Sequence, residues 1–166
     1  MTTTHRLRRT PARALVLATA LTAFAGAAHA DTLTITHPPV PTPTLVDVGE
    51  AGESPGDVRI FHFGAETADG TDVVVDWVMT TTAIDAPETG VDSRLNYGVF
   101  SVGDTTNQIV LHGVALYPRA GATLKAASTA VRVVTGGSGR FAGARGWVES
   151  THHDDDTWTH VFHLDD

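Results

Sequence analysis

The sequence predicts an all-β protein, an antiparallel eight-stranded up-and-down β-barrel, and three observations carry that prediction. Runs rich in Val, Thr and aromatic residues recur along residues 58–164, each of strand length and each bounded by turn residues. No window sustains the periodicity of about 3.6 residues that marks an amphipathic helix. Short turns join the runs in sequence, so each strand pairs with the next, and closing such a meander removes its unpaired edges.

Residues 1–30 read as a signal peptide. Arg6, Arg8, Arg9 and Arg13 form a basic segment without an acid, Ala14–Ala28 is uncharged and mainly apolar, and Ala28-His29-Ala30 offers small residues at a cleavage site before Asp31. The apolar stretch is shorter than the about 20 residues that a membrane span needs. Residues 31–56 read as a Pro/Gly-rich N-terminal arm. Its first residues, 31–36 (DTLTIT), alternate and suit a short strand, after which Pro38, Pro39, Pro41 and Pro43 cannot join a central sheet. The run DVGEAGESPGD that follows has little to bury.

The barrel domain is placed at 57–166. Residues 58–66 and 72–84 flank Asp69-Gly70, a strong hairpin signal, and a turn-rich loop covers 85–93. Residues 94–102 and 108–117 form a second hairpin across Gly103–Thr106. A further strand covers 126–134, and 146–152 and 157–164 form the last hairpin around 153–156.

Charge and composition narrow the partners. The chain of 166 residues carries a formal net charge of −8 at pH 7, and removal of the leader's four arginines takes it to −12. Nucleic acid and anionic membrane surfaces would repel such a protein. After cleavage nothing predicts an integral membrane protein, and the expected location is extracellular. The absence of cysteine excludes a disulfide framework, a thiolate metal site and a cysteine nucleophile.

Five of the 16 glycines fall between Gly136 and Gly146, in TGGSGRFAGARG. A phosphate cradle would need Lys-Ser/Thr after the last glycine or a βαβ setting, and neither is present, so no cofactor is expected. Here the glycines let the chain leave one strand, turn around Phe141 and start the next. The longer segment TGGSGRFAGARGWVES resembles the glycine-rich segment of the allene oxide cyclase-like barrel family, to which the plant dirigent proteins are related. The resemblance extends to the closing run TWTHVFHL, to QIVLHG, and more weakly to residues 56–70, so that it spans about 57–164. It implies an eight-stranded barrel with a central cavity, usually a homotrimer. The family's catalytic set is not matched: His62 stands where the family has a Glu on its first strand, Gly64 stands where it has Asn, and its cavity cysteine has no counterpart.

His62 and Glu66 share one face of the first barrel strand, being four apart, and are the candidate catalytic pair, an imidazole and a carboxylate able to exchange a proton in an apolar cavity. Asp76, Trp77, Tyr97 and His112 are the candidate ligand-binding residues. His152, His153, His160 and His163 with Asp154–Asp156 invite a metal reading, with His152 and His160 facing each other across the last hairpin. A flexible acidic turn does not hold ligands in the fixed geometry a metal needs, so no metal is assigned. The expected function is the binding of a small apolar molecule in the lumen, with cyclisation, isomerisation or stereochemical guidance of it. The alternatives are a non-catalytic lipocalin-like carrier and a structural barrel with a plugged lumen.

Overall fold

The computed structural model describes residues 31–49, 51–119 and 121–165; the predicted signal peptide lies outside the described residues. Nine strands follow in order: β1 (Asp31–His37), β2 (Thr44–Val46), β3 (Val58–Thr67), β4 (Asp72–Ala83), β5 (Val91–Val102), β6 (Gln108–Pro118), β7 (Ser128–Gly137), β8 (Gly146–His152) and β9 (Trp158–Leu164). Strands β3 to β9 form an antiparallel meander, and β1 closes it by pairing with both β9 and β3. The result is the closed eight-stranded antiparallel barrel that the sequence predicts, with the short β2 added on β3. Among the described residues no helix is long and apolar enough to cross a membrane.

The closing strand is the DTLTIT segment ahead of the proline run. Seven residue pairs join β1 to β9, from Asp31 opposite Leu164 to His37 opposite Trp158. Only Ile35 and Thr36 pair with β3, opposite Thr67 and Glu66. Prolines then release the chain from the sheet, since they offer no N–H to a ladder. Residues 38–43 cross one mouth of the barrel as a strap with no backbone–backbone hydrogen bond, and β2 rejoins β3 further along the same edge.

Two strands are longer than the sequence suggests. β5 begins at Val91 rather than Arg94, because the carboxylate of Asp92 is met inside the barrel by Arg94, two residues on and on the same face. β7 continues through Gly136 and Gly137, which pair with Val110 and Ile109 after a one-residue shift at Thr135. Gly137 has no positive φ; it is glycine because the carbonyl oxygens of Gln108 and Phe141 leave no room for a Cβ.

The glycine segment is a clasp. A single 3-10 turn, Gly139–Phe141, tucks Phe141 against the core, and Ser138 Oγ–H donates to the Thr106 carbonyl at 2.7 Å. The N–H groups of Ser138, Arg140, Phe141, Ala142 and Ala144 are all taken by protein acceptors.

Alternation along the strands sorts the lumen into two halves. Beside the clasp it is apolar, filled by Ile35, Val73, Val75, Phe100, Ile109, Leu111, Val148 and Phe162, all fully buried or nearly so. Toward the strap the inward positions turn polar: Arg59, Thr81, Asp92, Arg94, Asn96, Arg132, Ser150 and His160 are buried too.

Gly146 sets a test of the fold. It opens β8 at φ +128°, and a Cβ there would run into the His163 carbonyl of the paired strand. Gly146→Ala is expected to lower unfolding free energy by roughly 2–4 kcal/mol in urea titrations. Gly64→Ala, where a Cβ meets open space, is expected to change it by less than about 1 kcal/mol.

Candidate functional site

The polar half of the lumen is organised around Asn96 on β5, which is fully buried. Its Oδ1 accepts from Trp77 Nε1–H at 3.2 Å and from the hydroxyl of Tyr117. Its Nδ2 donates to the carbonyls of Arg94 at 2.8 Å and Gly113 at 3.3 Å. Both ends of the amide are thereby used, as a buried amide requires.

Because Tyr117 donates to Asn96, its oxygen is free to accept from Arg132 Nη2 at 2.9 Å. Arg132 is 3% exposed and lies over the Trp77 ring at 4.9 Å. Its Nε and Nη1 have no hydrogen-bond partner. Arg94, another inward guanidinium, is better engaged: it donates to Asp92 at 3.3 Å and to the Gly121 carbonyl at 2.8 Å, and lies over Tyr117 at 4.8 Å, with only its Nε left without a partner. Burial holds the Tyr117 hydroxyl above its ordinary range, so it stays a neutral relay between the amide and the guanidinium.

Two histidines complete the site. His37 Nδ1–H donates to the Pro38 carbonyl at 2.7 Å; a carbonyl can only accept, so His37 Nε2 is the acceptor from His160 Nε2–H at 3.1 Å. His160 Nδ1 then accepts the Ser150 hydroxyl at 2.8 Å. This chain needs both rings neutral. Burial lowers the pKa of each, that of His160 well below its ordinary value, with the His37 and Arg132 charges acting the same way on it.

Between these groups lies a cavity of about 40 Å³. Phe61, Phe63, Trp77, Met79 and Trp158 supply its apolar wall, Tyr117, Arg132, His37 and His160 its polar one, and Val40 of the strap and Thr123 its lid. Arg132 is the one charged side chain among those lining residues if the histidines are neutral. Each such water-filled space needs roughly 10–15 Å³ per water, so this one takes a few waters or a small fragment.

The placement of the predicted residues in the lumen is corrected. His62 and Glu66 face outward, and Phe61 and Phe63 face in. His62 pairs with Asp76 at 2.7 Å on the outer face, with 70% and 57% of their side-chain surfaces exposed. The reason is the period of two: residues 61 and 63 bury more apolar area than 62 and 66, and one parity excludes the other. Trp77 does line the cavity; Asp76, its neighbour in sequence, could not share its face. Tyr97 and His112 face outward as well, meeting edge-on across β5 and β6 at 4.8 Å. The residues missed are Asn96, Arg132, His37 and the inward side of His160.

The histidine-rich last hairpin does not gather a metal site. His160 stands opposite Ser150 rather than His152, which stands opposite Trp158 and donates from Nδ1–H to the Leu124 carbonyl at 2.8 Å. His163 stacks on Trp147 at 4.6 Å, on the other face of β9. Among the described residues no three His, Cys, Asp or Glu side chains are placed to share a metal ion.

No protein-family model matches the chain. No curated protein matches its sequence. Among solved structures, pyocyanin demethylase is similar in fold, with a TM-score of 0.56 and 16% identity over 81% of this chain and 99% of that one. Similarity at that identity establishes the barrel and leaves the site to its own residues.

The histidine pair makes stability pH-dependent. Groups whose folded pKa is depressed below the ordinary 6.5 leave the unfolded chain to bind protons first, so stability is lost as pH falls below that value. Each ring contributes a slope of at most about 1.4 kcal/mol per pH unit. Urea midpoints between about pH 7 and pH 5 should fall steadily, before carboxylates titrate at about pH 4; a flat profile would contradict the neutral pair.

Proposed function

We propose that this chain is an exported barrel of the allene oxide cyclase-like, dirigent-related kind that binds a small, largely apolar molecule in the polar half of its lumen. The observation that carries the reading is the cavity walled by Phe61, Phe63, Trp77, Met79 and Trp158 against the Asn96–Tyr117–Arg132 network. A purely structural lumen gains nothing from buried polar groups that apolar packing could replace, as it does at the clasp end. The fold likeness to pyocyanin demethylase, which by its name acts on pyocyanin, supports a lumen that handles small molecules.

Such a site guides a reaction chiefly by holding one conformer of its ligand out of water. The neutral His37–His160 pair adds a means of moving a proton at an imidazole Nε2. Access runs past the strap. Val40 is its only lining residue, and without backbone–backbone hydrogen bonds along 38–43 its displacement costs little. The plugged-barrel reading draws on the cavity's size, about 40 Å³ against the about 300–1,000 Å³ of ordinary ligand sites.

Indole distinguishes the two readings. It should raise Tm with concentration, by the equivalent of about 2.7 kcal/mol at a hundredfold excess over Kd. It should also change Trp emission, since Trp77 and Trp158 line the cavity. Val40→Ala, which clears the lid, should bind it more tightly. If neither wild type nor Val40→Ala responds to indole or toluene, the plugged barrel stands.

Export and assembly belong to the same proposal. β1 begins at Asp31, so a cut after Ala30 leaves every described strand intact. The outer wall exposes Leu95, Tyr97, Val114, Leu116, Val131, Val133 and Trp147, an apolar face suited to a second and third copy. Native mass spectrometry of exported protein should find chains starting at Asp31 in groups of three; retained leaders or monomers would reject the respective part.

A further inference from the structure

We infer that the lumen ligand is a monoanion, a carboxylate or enolate-type oxyanion on a ring-sized apolar body, with its charge received by Arg132. The inference rests on the reading that the lumen binds a small molecule, and names the chemical class. Arg132 is buried and reaches a single protein acceptor, the Tyr117 hydroxyl. The Nε–H and both Nη1 hydrogens have none. A buried guanidinium left this way is costly, and proteins ordinarily pair it with a carboxylate.

Among the described residues no carboxylate is paired with Arg132. The cavity's lining holds no acid; Asp92 gives its Oδ2 to Arg94, and its Oδ1, though without a partner, makes no bond to Arg132. Glu53 reaches Arg59 at 3.8 Å and Arg119 at 3.0 Å instead, and the buried Asp57 accepts from the Val48 and Ser54 N–H groups at 3.0 and 2.9 Å. The charge is nevertheless held in place on every other side. Gly113 leaves the space that the Arg132 stem fills, its absent Cβ lying 3.1 Å from Cγ, and Trp77 faces the guanidinium. A planar oxyanion is the partner whose geometry a guanidinium accepts best.

The rest of the lining fixes the charge and size. No second cation stands beside Arg132 in the lining while the histidines are neutral, so a dianion such as a phosphate monoester would stay half-compensated. The remaining wall is aromatic, and a ring enters the space of about 40 Å³ only with Val40 and the strap displaced.

The test compares benzoate, its neutral isostere benzamide and the cation benzylamine by calorimetry on the exported protein. Benzoate should bind at least about tenfold more tightly than benzamide, the usual worth of a hydrogen bond to a charged group, and benzylamine should not bind. Arg132→Met should erase the preference, bringing benzoate affinity down to or below that of benzamide, while Tm does not fall. Should that variant fail to fold, the Arg Nε–H resonances of the wild type give the same answer: benzoate should shift one of them and benzamide none. Equal affinity for benzoate and benzamide, or a benzoate preference that survives Arg132→Met, overturns the assignment and leaves the lumen reading intact. No binding of benzoate, benzamide or indole overturns both.

Discussion

The amide of Asn96 orients the polar half of this barrel. One side chain accepts from Trp77 and Tyr117 and donates to two backbone carbonyls, which uses its full hydrogen-bonding capacity inside a lumen where nothing else could replace water. Everything further out inherits its direction. Tyr117 must point its proton at Asn96, so its lone pairs face Arg132; Trp77 must turn its N–H the same way, so its face meets the guanidinium. The packing agrees with the polar order. Gly98, the next inward position on β5, is where a Cβ would come within 2.8 Å of the Trp77 ring. The indole therefore depends both on an acceptor at 96 and on the absence of a side chain at 98.

The strands and their pairing were legible in the sequence because turn chemistry and β-rich runs are local signals. Asp69-Gly70 and Gly103–Thr106 fall where hairpins turn, and the clasp was recognisable from its glycines. The face of each strand was not legible. In β7 the outward residues Val131 and Val133 are as apolar as the inward Ala130 and Val134, and the inward set contains Arg132. In β5 the outward set holds Leu95 and Tyr97, and the inward set Arg94 and Asn96. A barrel with a polar half-lumen and an apolar outer wall inverts the usual rule along those stretches, so hydrophobicity by itself assigns the wrong parity. A lone Arg within an apolar strand was the available signal, and the four-residue spacing of His62 and Glu66 drew attention to the opposite face of a different strand.

His37 stands at the boundary between the two halves of the N-terminal segment. It ends the closing strand, starts the strap, and donates to the first carbonyl of that strap while its other nitrogen holds His160. The strap is otherwise held by side-chain packing, with the half-buried Val40 against the core. One hydrogen-bonded ring thus links the barrel's closure to the position of the segment that covers its mouth.

Closure by the first strand also dictates when the chain can fold. His37 meets His160 across 123 residues of sequence, and the seven pairs of β1 lie along the final strand. The meander from β3 to β9 can zip hairpin by hairpin, each step closing a short loop. The last seam joins the first and last strands of the barrel, a contact between residues far apart in sequence. Until residue 164 is in place β1 lacks its main partner, and only its two pairs with β3 can form. A barrel with that ordering can complete its closing seam only once its last strand is available.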